Sequence, residues 1–320
     1  MAFRSRLRFM AALGLMVACA VPPQARTDAD LAELWQEPAD LVQRDMLGGP
    51  GGAGLAPRED GRYEFLGFKT SGTNPGYDVR DGSGRIWSVK LGPEAQAEVA
   101  ASRILWALGY HQPPTYYLPQ FELTGDVGGV RTQARFRTDV QPWRSASEWS
   151  WYDNPFIDTQ PFRGLIVAQL VLNNWDLKTP NNRIYESADP TMRPQRQFVV
   201  RDVGSSLGHS RQFLLFSLLR TPGLQGTKND IDDFERQGFI KGVDGDRVLF
   251  DYRGRNQSLV DHVTVADVVW ISERLARIPD GHWTTTFTAA GYSAEIAGRY
   301  IRKIKSKIAD GLALKAPLTH

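Results

Sequence analysis

The chain has 320 residues, of which 42% are hydrophobic and 23% are charged, and its formal net charge at pH 7 is +2. This composition is ordinary for a soluble protein with a hydrophobic core, and the length suits one large or two small domains. The small net charge, without basic blocks interleaved with aromatic residues, argues against nucleic-acid binding. A single cysteine, Cys19, excludes an intramolecular disulfide, and none of the five histidines has a zinc-motif spacing such as H-E-x-x-H.

Residues 1–20 have the pattern of an export signal. Arg4, Arg6 and Arg8 form a basic start, an apolar run too short to span a bilayer follows, and residues 18–20 (Ala-Cys-Ala) form a cleavage site. We therefore expect an exported protein, in the bacterial periplasm or outside the cell. Lipidation of Cys19 is a second interpretation, although the residues before it make a poor lipidation motif.

Residues 21–60 are rich in residues that interrupt regular structure. They contain paired prolines, a short helix-forming stretch at 29–35 and the run Gly-Gly-Pro-Gly-Gly at 48–52. This density of glycine and proline predicts a linker with a short helix. The folded body is expected to begin near Tyr63.

Residues 61–142 predict a small antiparallel sheet with one helix. Stretches of strand-like composition at 63–69, 77–80, 86–91, 115–123 and 129–136 predict its strands, and a helix is predicted over residues 93–108. Lys90 lies inside the third strand, where a lysine is ordinarily a solvated edge residue. Glu98 lies in the first half of the following helix, and Glu94 lies in its first turn, where the helix dipole also explains an acidic residue.

Residues 143–320 predict a mainly helical part that begins after a hinge at Gln141-Pro142. Aromatic residues concentrated between residues 143 and 162 predict packing rather than a ligand pocket. Helices are predicted over residues 213–219, 265–278 and 294–312, and a hairpin over residues 239–252. In the last helix, Lys303, Lys305 and Lys307 predict a solvated face.

The most informative stretch is a polar loop that follows an apolar helix ending near Leu170. Asp176, Lys178 and Asn181 have the interval D-x-K-x-x-N, and Asn182 follows directly. A phosphoryl-transfer site needs a carboxylate near the attacking hydroxyl, a cation near the transferred group, and an oxygen-bearing side chain that holds a divalent metal. When this loop is considered alone, turn formation by Asn and Asp is the more common explanation.

A second motif strengthens the phosphoryl-transfer interpretation. The β-branched run that begins at Phe198 ends in Asp202-Val203-Gly204, an Asp-x-Gly sequence. Two motifs in this order favour a site over two unrelated turns.

The order of a strand lysine, a helix glutamate, a D-x-K-x-x-N loop, a strand and D-x-G resembles the protein-kinase-like superfamily over about residues 63–208. It is more similar to divergent branches, namely the HipA-type, secretory-pathway and lipid-kinase-like kinases. The resemblance implies an α+β, two-lobed fold, with a small antiparallel-sheet N-lobe at residues 61–142 and a mainly helical C-lobe at residues 143–320. It also implies transfer of a phosphoryl group from ATP, with Mg²⁺ or Mn²⁺, to a hydroxyl of a protein or small molecule.

The roles of individual residues are implied by the same resemblance. Asp176 would be the base or hydroxyl-orienting group and Lys178 the cation near the γ-phosphoryl group. The nucleotide phosphates would be positioned by Lys90 with Glu98, and the metal would be held by Asp202 with Asn181 or Asn182.

The chain also departs from the kinase pattern. Asn174-Trp175 stands where His-Arg is expected before the catalytic aspartate, and neither G-x-G-x-x-G nor A-P-E is present. The alternative is therefore a pseudokinase, a module that binds a nucleotide or another ligand without catalysis. The predicted export favours it, because an exported protein meets little ATP.

Overall fold

The computed structural model describes residues 28–69, 76–210 and 226–315. The predicted export signal at residues 1–20, with Cys19, and the predicted helix over residues 213–219 lie outside these described residues. Among the described helices, none is long and apolar enough to cross a membrane.

Five strands form a closed barrel in the order β1-β2-β3-β5-β4. Their bounds are β1 Arg62–Phe68, β2 Gly76–Arg80, β3 Ile86–Leu91, β4 Thr115–Thr124 and β5 Gly129–Arg137. The predicted strands are present, but the sheet is not purely antiparallel, because β1 and β4 run parallel and close the barrel. The aromatic rings of Tyr63, Phe121 and Phe136 are buried inside it and pack against one another, with ring centroids 4.9–5.7 Å apart.

The remaining elements are mostly helical and make the fold mixed α+β, as predicted. A second, three-stranded antiparallel sheet has the order β6-β7-β8, and β9 and β10 form the predicted hairpin. The bounds are α1 Asp28–Leu31, α2 Glu94–Ala107, β6 Trp143–Ser147, α3 Gln160–Val171, β7 Asn182–Ser187, β8 Arg196–Val200, α4 Ile231–Arg236, β9 Ile240–Asp244, β10 Arg247–Phe250, α5 Val265–Ala276, α6 Asp280–Ala289 and α7 Ala294–Ala313.

The buried apolar side chains form two clusters among the described residues. One fills the barrel, and the other lies around α2, α3 and the carboxy-terminal helices. Trp149, Trp151, Phe156 and Phe162 belong to the second cluster, so these aromatic side chains pack in a core, whereas their predicted packing between two lobes stays a prediction. The division of the chain into two lobes stays a prediction.

Residues 31–60, which we call the strap, are packed against the body, whereas the sequence predicted a linker. The Trp35 indole donates to the carbonyl of Leu108, 2.7 Å away, and Arg103 on α2 donates to the carbonyl of Leu47 at 2.9 Å. Glycine at position 49 allows this approach, because a Cβ there would lie 1.2 Å from Nη1 of Arg103. The glycine-rich run therefore permits close packing, and its composition does not signal a flexible segment.

Lys307 on α7 is buried, with 1% of its surface exposed, although the sequence predicted a solvated lysine face. Its Nζ donates to the carbonyl of Val171, at 2.9 Å, and to Oδ1 of Asn173, at 2.6 Å. Burial lowers the pKa of Lys307 well below its ordinary value. Lys305 is exposed, as predicted, and forms an ion pair with Asp280.

Candidate functional site

A cavity of about 490 Å³ lies between strands β3 and β5 of the barrel, the loop after α3 and the segment around Asp202. Its lining is rich in charge, with nine basic and four acidic residues. The basic residues are Lys69, Lys90, Arg135, Arg137, Lys178, Arg183, Arg201, Lys228 and Arg255, and the acidic residues are Glu94, Glu148, Asp176 and Asp202. Of the sequence-predicted site residues, this lining includes Lys90, Asp176, Lys178, Asn181 and Asp202.

Lys90 is surrounded by three carboxylates. Its Nζ lies 2.8 Å from Oε2 of Glu98, 3.1 Å from Oε2 of Glu94 and 2.9 Å from Oδ2 of Asp202. Glu94 and Glu98, the two glutamates that the sequence offered as partners, therefore both contact Lys90. The reason is that α2 begins just after β3 and directs its first two turns towards that strand. The ammonium also joins the helix to the Asp-x-Gly segment.

The electrostatics of this cluster favour its charged forms. Burial alone would lower the pKa of Lys90, but the carboxylates of Glu98 and Asp202 outweigh it and raise that pKa above its ordinary value. Burial would raise the pKa of Asp202, but the neighbouring Lys90 ammonium outweighs it and holds that pKa well below its usual range.

Two arginines that the sequence analysis missed hold Glu98 from the barrel side. Arg135 Nε and Arg137 Nη1 each lie 2.9 Å from Oε1 of Glu98, which is 1% exposed. Burial lowers the pKa of Arg135 to about 10. The two arginines are two residues apart on β5, so they share one face of the strand. This two-residue spacing was the sequence signal that could have predicted them.

Gly204, the glycine of the Asp-x-Gly motif, lies against the same carboxylates. A Cβ at this position would lie 3.1 Å from Cβ of Glu94 and 3.3 Å from Oε2 of Glu98. The motif therefore has a packing reason as well as an electrostatic one. Asp202 also accepts a hydrogen bond from the amide of Gly204, at 3.3 Å, as expected of an aspartate at a turn.

The loop after α3 is shaped by its asparagines. Asn173 has a left-handed φ of 54°, which ends the helix, and its side chain donates to the carbonyl of Gly208 at 2.7 Å. Oδ1 of Asn174 accepts a hydrogen bond from the amide of Asp176 at 3.2 Å. Asn174 occupies the position at which the kinase pattern predicts His, and its side chain binds the backbone of the loop.

Asp176 is a buried residue of the cavity lining and is paired with cations. Lys178 Nζ lies 2.7 Å from its Oδ2, and Arg255 Nε lies 2.9 Å from its Oδ1. The side chain of Asn181 donates to the carbonyl of Asp176 at 2.6 Å. The D-x-K-x-x-N interval thus brings all three of its residues together.

Asn181 connects the two motifs, whereas Asn182 faces away from the cavity. The carbonyl of Asn181 accepts hydrogen bonds from the amides of Arg201 and Asp202, at 2.9 and 3.0 Å. Asn182 is fully buried and donates to the carbonyl of Trp149 at 3.1 Å. Of the two asparagines that the sequence left open, only Asn181 lines the cavity with Asp202.

Arg255 and Lys228 were not predicted and come from parts of the chain without a recognised motif. Lys228 forms an ion pair with Glu94, and Arg255 contacts Asp176 as described. Only the fold brings them to the cavity, so we identify no local sequence signal that would have found them.

The residues present fit a divalent metal with a bound polyphosphate. The carboxylate of Asp202 and the amide of Asn181 are hard oxygen donors, the ligand type that Mg²⁺ prefers. Glu94, Glu98 and Asp202 also place ligand atoms within 4.8 Å of one another. The Lys90 ammonium lies within 3.1 Å of all three, so it already serves as their counter-ion.

Comparisons with known proteins give weak similarities. No protein-family model matches the sequence, and no curated protein matches it significantly. The proinflammatory kinase CtkA of Helicobacter pylori is a similar solved structure, with 13% identity, a TM-score of 0.45, and coverage of 81% of this chain and 99% of that chain. The Rio2 kinase of Chaetomium thermophilum, solved as an ADP/Mg²⁺-phosphoaspartate complex, has 12% identity, a TM-score of 0.29, and coverage of 78% and 72%. Both TM-scores are below 0.5, and neither similarity establishes a family for this chain.

Proposed function

We propose that this protein is a kinase-like phosphotransferase that moves the γ-phosphoryl group of ATP to a hydroxyl of a protein or small molecule. One observation carries the proposal. Lys90 with Glu98, Asp176 with Lys178 and Asn181, and Asp202 come from separate parts of the chain and meet in and around one cavity. Phosphoryl transfer depends on placed charges of these kinds.

The proposed reaction uses the cavity residues as follows. Lys90, held by Glu98, binds the nucleotide phosphates, and Lys178 lies beside the transferred group. The acceptor oxygen forms a bond to the γ-phosphorus while the bond from that phosphorus to the oxygen bridging to ADP breaks. The proton of the acceptor hydroxyl passes to the carboxylate of Asp176, and ADP leaves with the electron pair of the broken bond.

A divalent metal belongs to the same proposal. Asp202 and Asn181 would hold Mg²⁺, which would neutralise part of the phosphate charge when bound. Asn182 is not included, because it is fully buried and is not part of the cavity lining.

The test is mass spectrometry of the protein and of candidate acceptors after incubation with Mg²⁺ and ATP. We expect an added phosphate on an acceptor or on the protein, together with ADP. Binding of nucleotide, seen as a Mg²⁺-dependent rise in melting temperature, without any transferred phosphate would contradict the phosphotransferase.

That contradicting outcome describes the second candidate, a pseudokinase-type binding module. It is favoured by the ion pairs of Asp176, since both of its carboxylate oxygens contact cations. The predicted export favours it as well. We propose export on the basis of residues 1–20, and sequencing of the mature amino terminus, with a start near residue 21, tests it.

A further inference from the structure

Both carboxylate oxygens of Asp176 lie beside cations, but Oδ1 accepts no hydrogen bond in the described part of the chain. Oδ1 is 2.9 Å from Nε of Arg255, and Oδ2 is 2.7 Å from Nζ of Lys178. Asn181 Nδ2 lies 3.3 Å from Oδ2 as well. Oδ1 therefore keeps acceptor capacity for a hydroxyl proton, and Arg255 lies in the space beside it through which an acceptor would approach.

Arg255 belongs to a segment that is fixed to the loop by its backbone. The amide of Arg255 donates to the carbonyl of Trp175, at 2.8 Å, and the hydroxyl of Tyr252 donates to the carbonyl of Asn174, at 3.0 Å. The side chain of Asn256 donates to the carbonyl of Leu177, at 2.6 Å. Residues 252–256 thus run along the loop that carries Asp176.

Glycine at position 254 is required for this arrangement. A Cβ there would lie 2.0 Å from the hydroxyl oxygen of Tyr252 and 2.8 Å from the carbonyl oxygen of Trp175. The backbone next to Arg255 is therefore held tightly, and only the Arg255 side chain is free to redirect. That side chain is 42% exposed.

The charge of the cavity indicates what Arg255 would bind after it leaves Asp176. Nine basic residues line the cavity against four acidic ones, and Glu98 adds one more carboxylate beside it. Mg²⁺ neutralises part of the charge of a nucleotide triphosphate. A magnesium nucleotide therefore leaves part of this positive surplus unmatched.

We propose that Arg255 recognises the acceptor by binding an oxyanion, a phosphate or a carboxylate, that lies beside the reacting hydroxyl. The planar guanidinium suits such a group, since it forms two parallel hydrogen bonds with it. Binding of the oxyanion moves the Arg255 guanidinium away from Oδ1 of Asp176, so that the acceptor hydroxyl can approach that oxygen. The ion pair of Arg255 with Asp176 thus gives an anionic acceptor an advantage over a neutral one in reaching Asp176. This inference rests on the proposed function.

The first experiment measures anion binding beside an occupied nucleotide site. Wild type, Arg255→Gln and Arg253→Gln are saturated with Mg²⁺ and a non-hydrolysable ATP analogue and titrated with inorganic phosphate by calorimetry. Arg253 is the matched control, because it is exposed and is not part of the cavity lining. We expect saturable phosphate binding in wild type and Arg253→Gln, and at least tenfold weaker binding in Arg255→Gln.

The outcomes separate this inference from the proposed function. Nucleotide binding with equal phosphate affinity in wild type and Arg255→Gln overturns the role of Arg255 alone. Absence of nucleotide binding in wild type overturns the proposed function and the inference with it. Weaker nucleotide binding in Arg255→Gln, to the same degree as the weaker phosphate binding, places Arg255 on the nucleotide and also overturns its acceptor role.

The second experiment compares the two sources of the oxyanion. ADP production is measured with glycerol 3-phosphate against glycerol, and with a serine peptide flanked by glutamates against the same peptide flanked by glutamines. We expect wild type to prefer the anionic member of at least one pair by tenfold or more in kcat/KM, and Arg255→Gln to lose that preference. Equal rates of wild type within both pairs overturn the proposal.

Discussion

Lys90 and Asp202 are separated by 112 residues in the sequence, yet Nζ of Lys90 lies 2.9 Å from Oδ2 of Asp202. Glu94 and Glu98 also contact this ammonium, so Lys90 joins all three carboxylates, while Lys228 pairs with Glu94 and two arginines pair with Glu98. Replacement of Lys90 would leave like charges facing one another in a largely buried space. Lys90 therefore stabilises the folded protein in addition to its proposed role in binding the nucleotide phosphates.

The Lys90→Met variant should lose both stability and Mg²⁺-nucleotide affinity. We expect unfolding to require about 3–5 kcal/mol less than in wild type, the usual result of breaking a buried ion pair on one side. Urea unfolding of the variant and of wild type at pH 7 measures the loss. Lys69→Met is the control, since Lys69 pairs with the half-exposed Asp78. This replacement should lower the free energy of unfolding by about 1 kcal/mol or less. Equal losses in the two variants would contradict the structural role.

The Asp176→Asn variant should bind nucleotide normally and transfer phosphate slowly. The amide cannot accept the hydroxyl proton, and general-base catalysis is usually worth roughly a hundredfold to ten-thousandfold in rate. Turnover of ATP with any acceptor, measured beside a nucleotide titration, checks this expectation. Wild-type turnover in the variant would remove Asp176 from the mechanism.

The Asp202→Ala variant should lose the Mg²⁺-dependent part of its nucleotide affinity. The carboxylate is a hard-oxygen ligand, so its effect should appear only when metal and nucleotide are both present. Nucleotide titrations with Mg²⁺ and with EDTA measure the difference. Glu148→Gln is a control, because Glu148 also lines the cavity but pairs with Arg183. If Asp202→Ala keeps the full metal dependence, Asp202 is only a turn residue.

Asn181 and Asn182 give a matched pair of variants at adjacent positions. Asn181→Ala should weaken Mg²⁺-nucleotide binding, since Asn181 lines the cavity beside Asp202. Asn182→Ala should leave that affinity unchanged and cost about 1–3 kcal/mol of stability, because the buried carbonyl of Trp149 loses its donor. Parallel nucleotide titrations and thermal unfolding of the two proteins separate the effects. Weaker Mg²⁺-nucleotide binding in Asn182→Ala, with unchanged binding in Asn181→Ala, would assign the metal-binding role to Asn182.

Lys307 should make stability depend on pH in the alkaline range. Its pKa is lowered in the folded protein, so between that lowered pKa and the ordinary value of 10.5 the unfolded chain binds more protons. The free energy of unfolding contributed by this group therefore rises as pH increases through that window. We expect Lys307→Met to show a smaller rise than wild type in urea unfolding between pH 7 and pH 10. Lys305→Met, at an exposed position of the same helix, should keep the wild-type slope.

Local patterns were sufficient for much of the fold and of the site. The strands of the barrel, α2 and the hairpin of β9 and β10 were predicted because each depends on residues close in sequence. The loop with Asp176 and the turn at Asp202 were predicted for the same reason. Parallel pairing of β1 with β4 was not predicted, because it joins segments about sixty residues apart and leaves no local signature.

The prediction for Lys307 was wrong because its charge was given more weight than its position in the helical repeat. Lys307 lies on the same face of α7 as Ile304 and Ile308, which are both buried. Its charge led to the opposite expectation, since lysine is rarely buried without partners. The partners are the carbonyl of Val171 and the side chain of Asn173, and no pattern within α7 reveals them.

The strap fixes the position of α2, the helix that carries Glu98. It holds the carboxy-terminal half of α2 and the residue just beyond it, through Leu47 with Arg103, Arg44 with the carbonyl of Trp106, and Trp35 with Leu108. The helix that carries Glu98 is therefore anchored at the end opposite the cavity, and displacing it would break all of these contacts. A ligand meets a preorganised pair of Lys90 and Glu98, so its binding energy is not reduced by the ordering of a mobile helix.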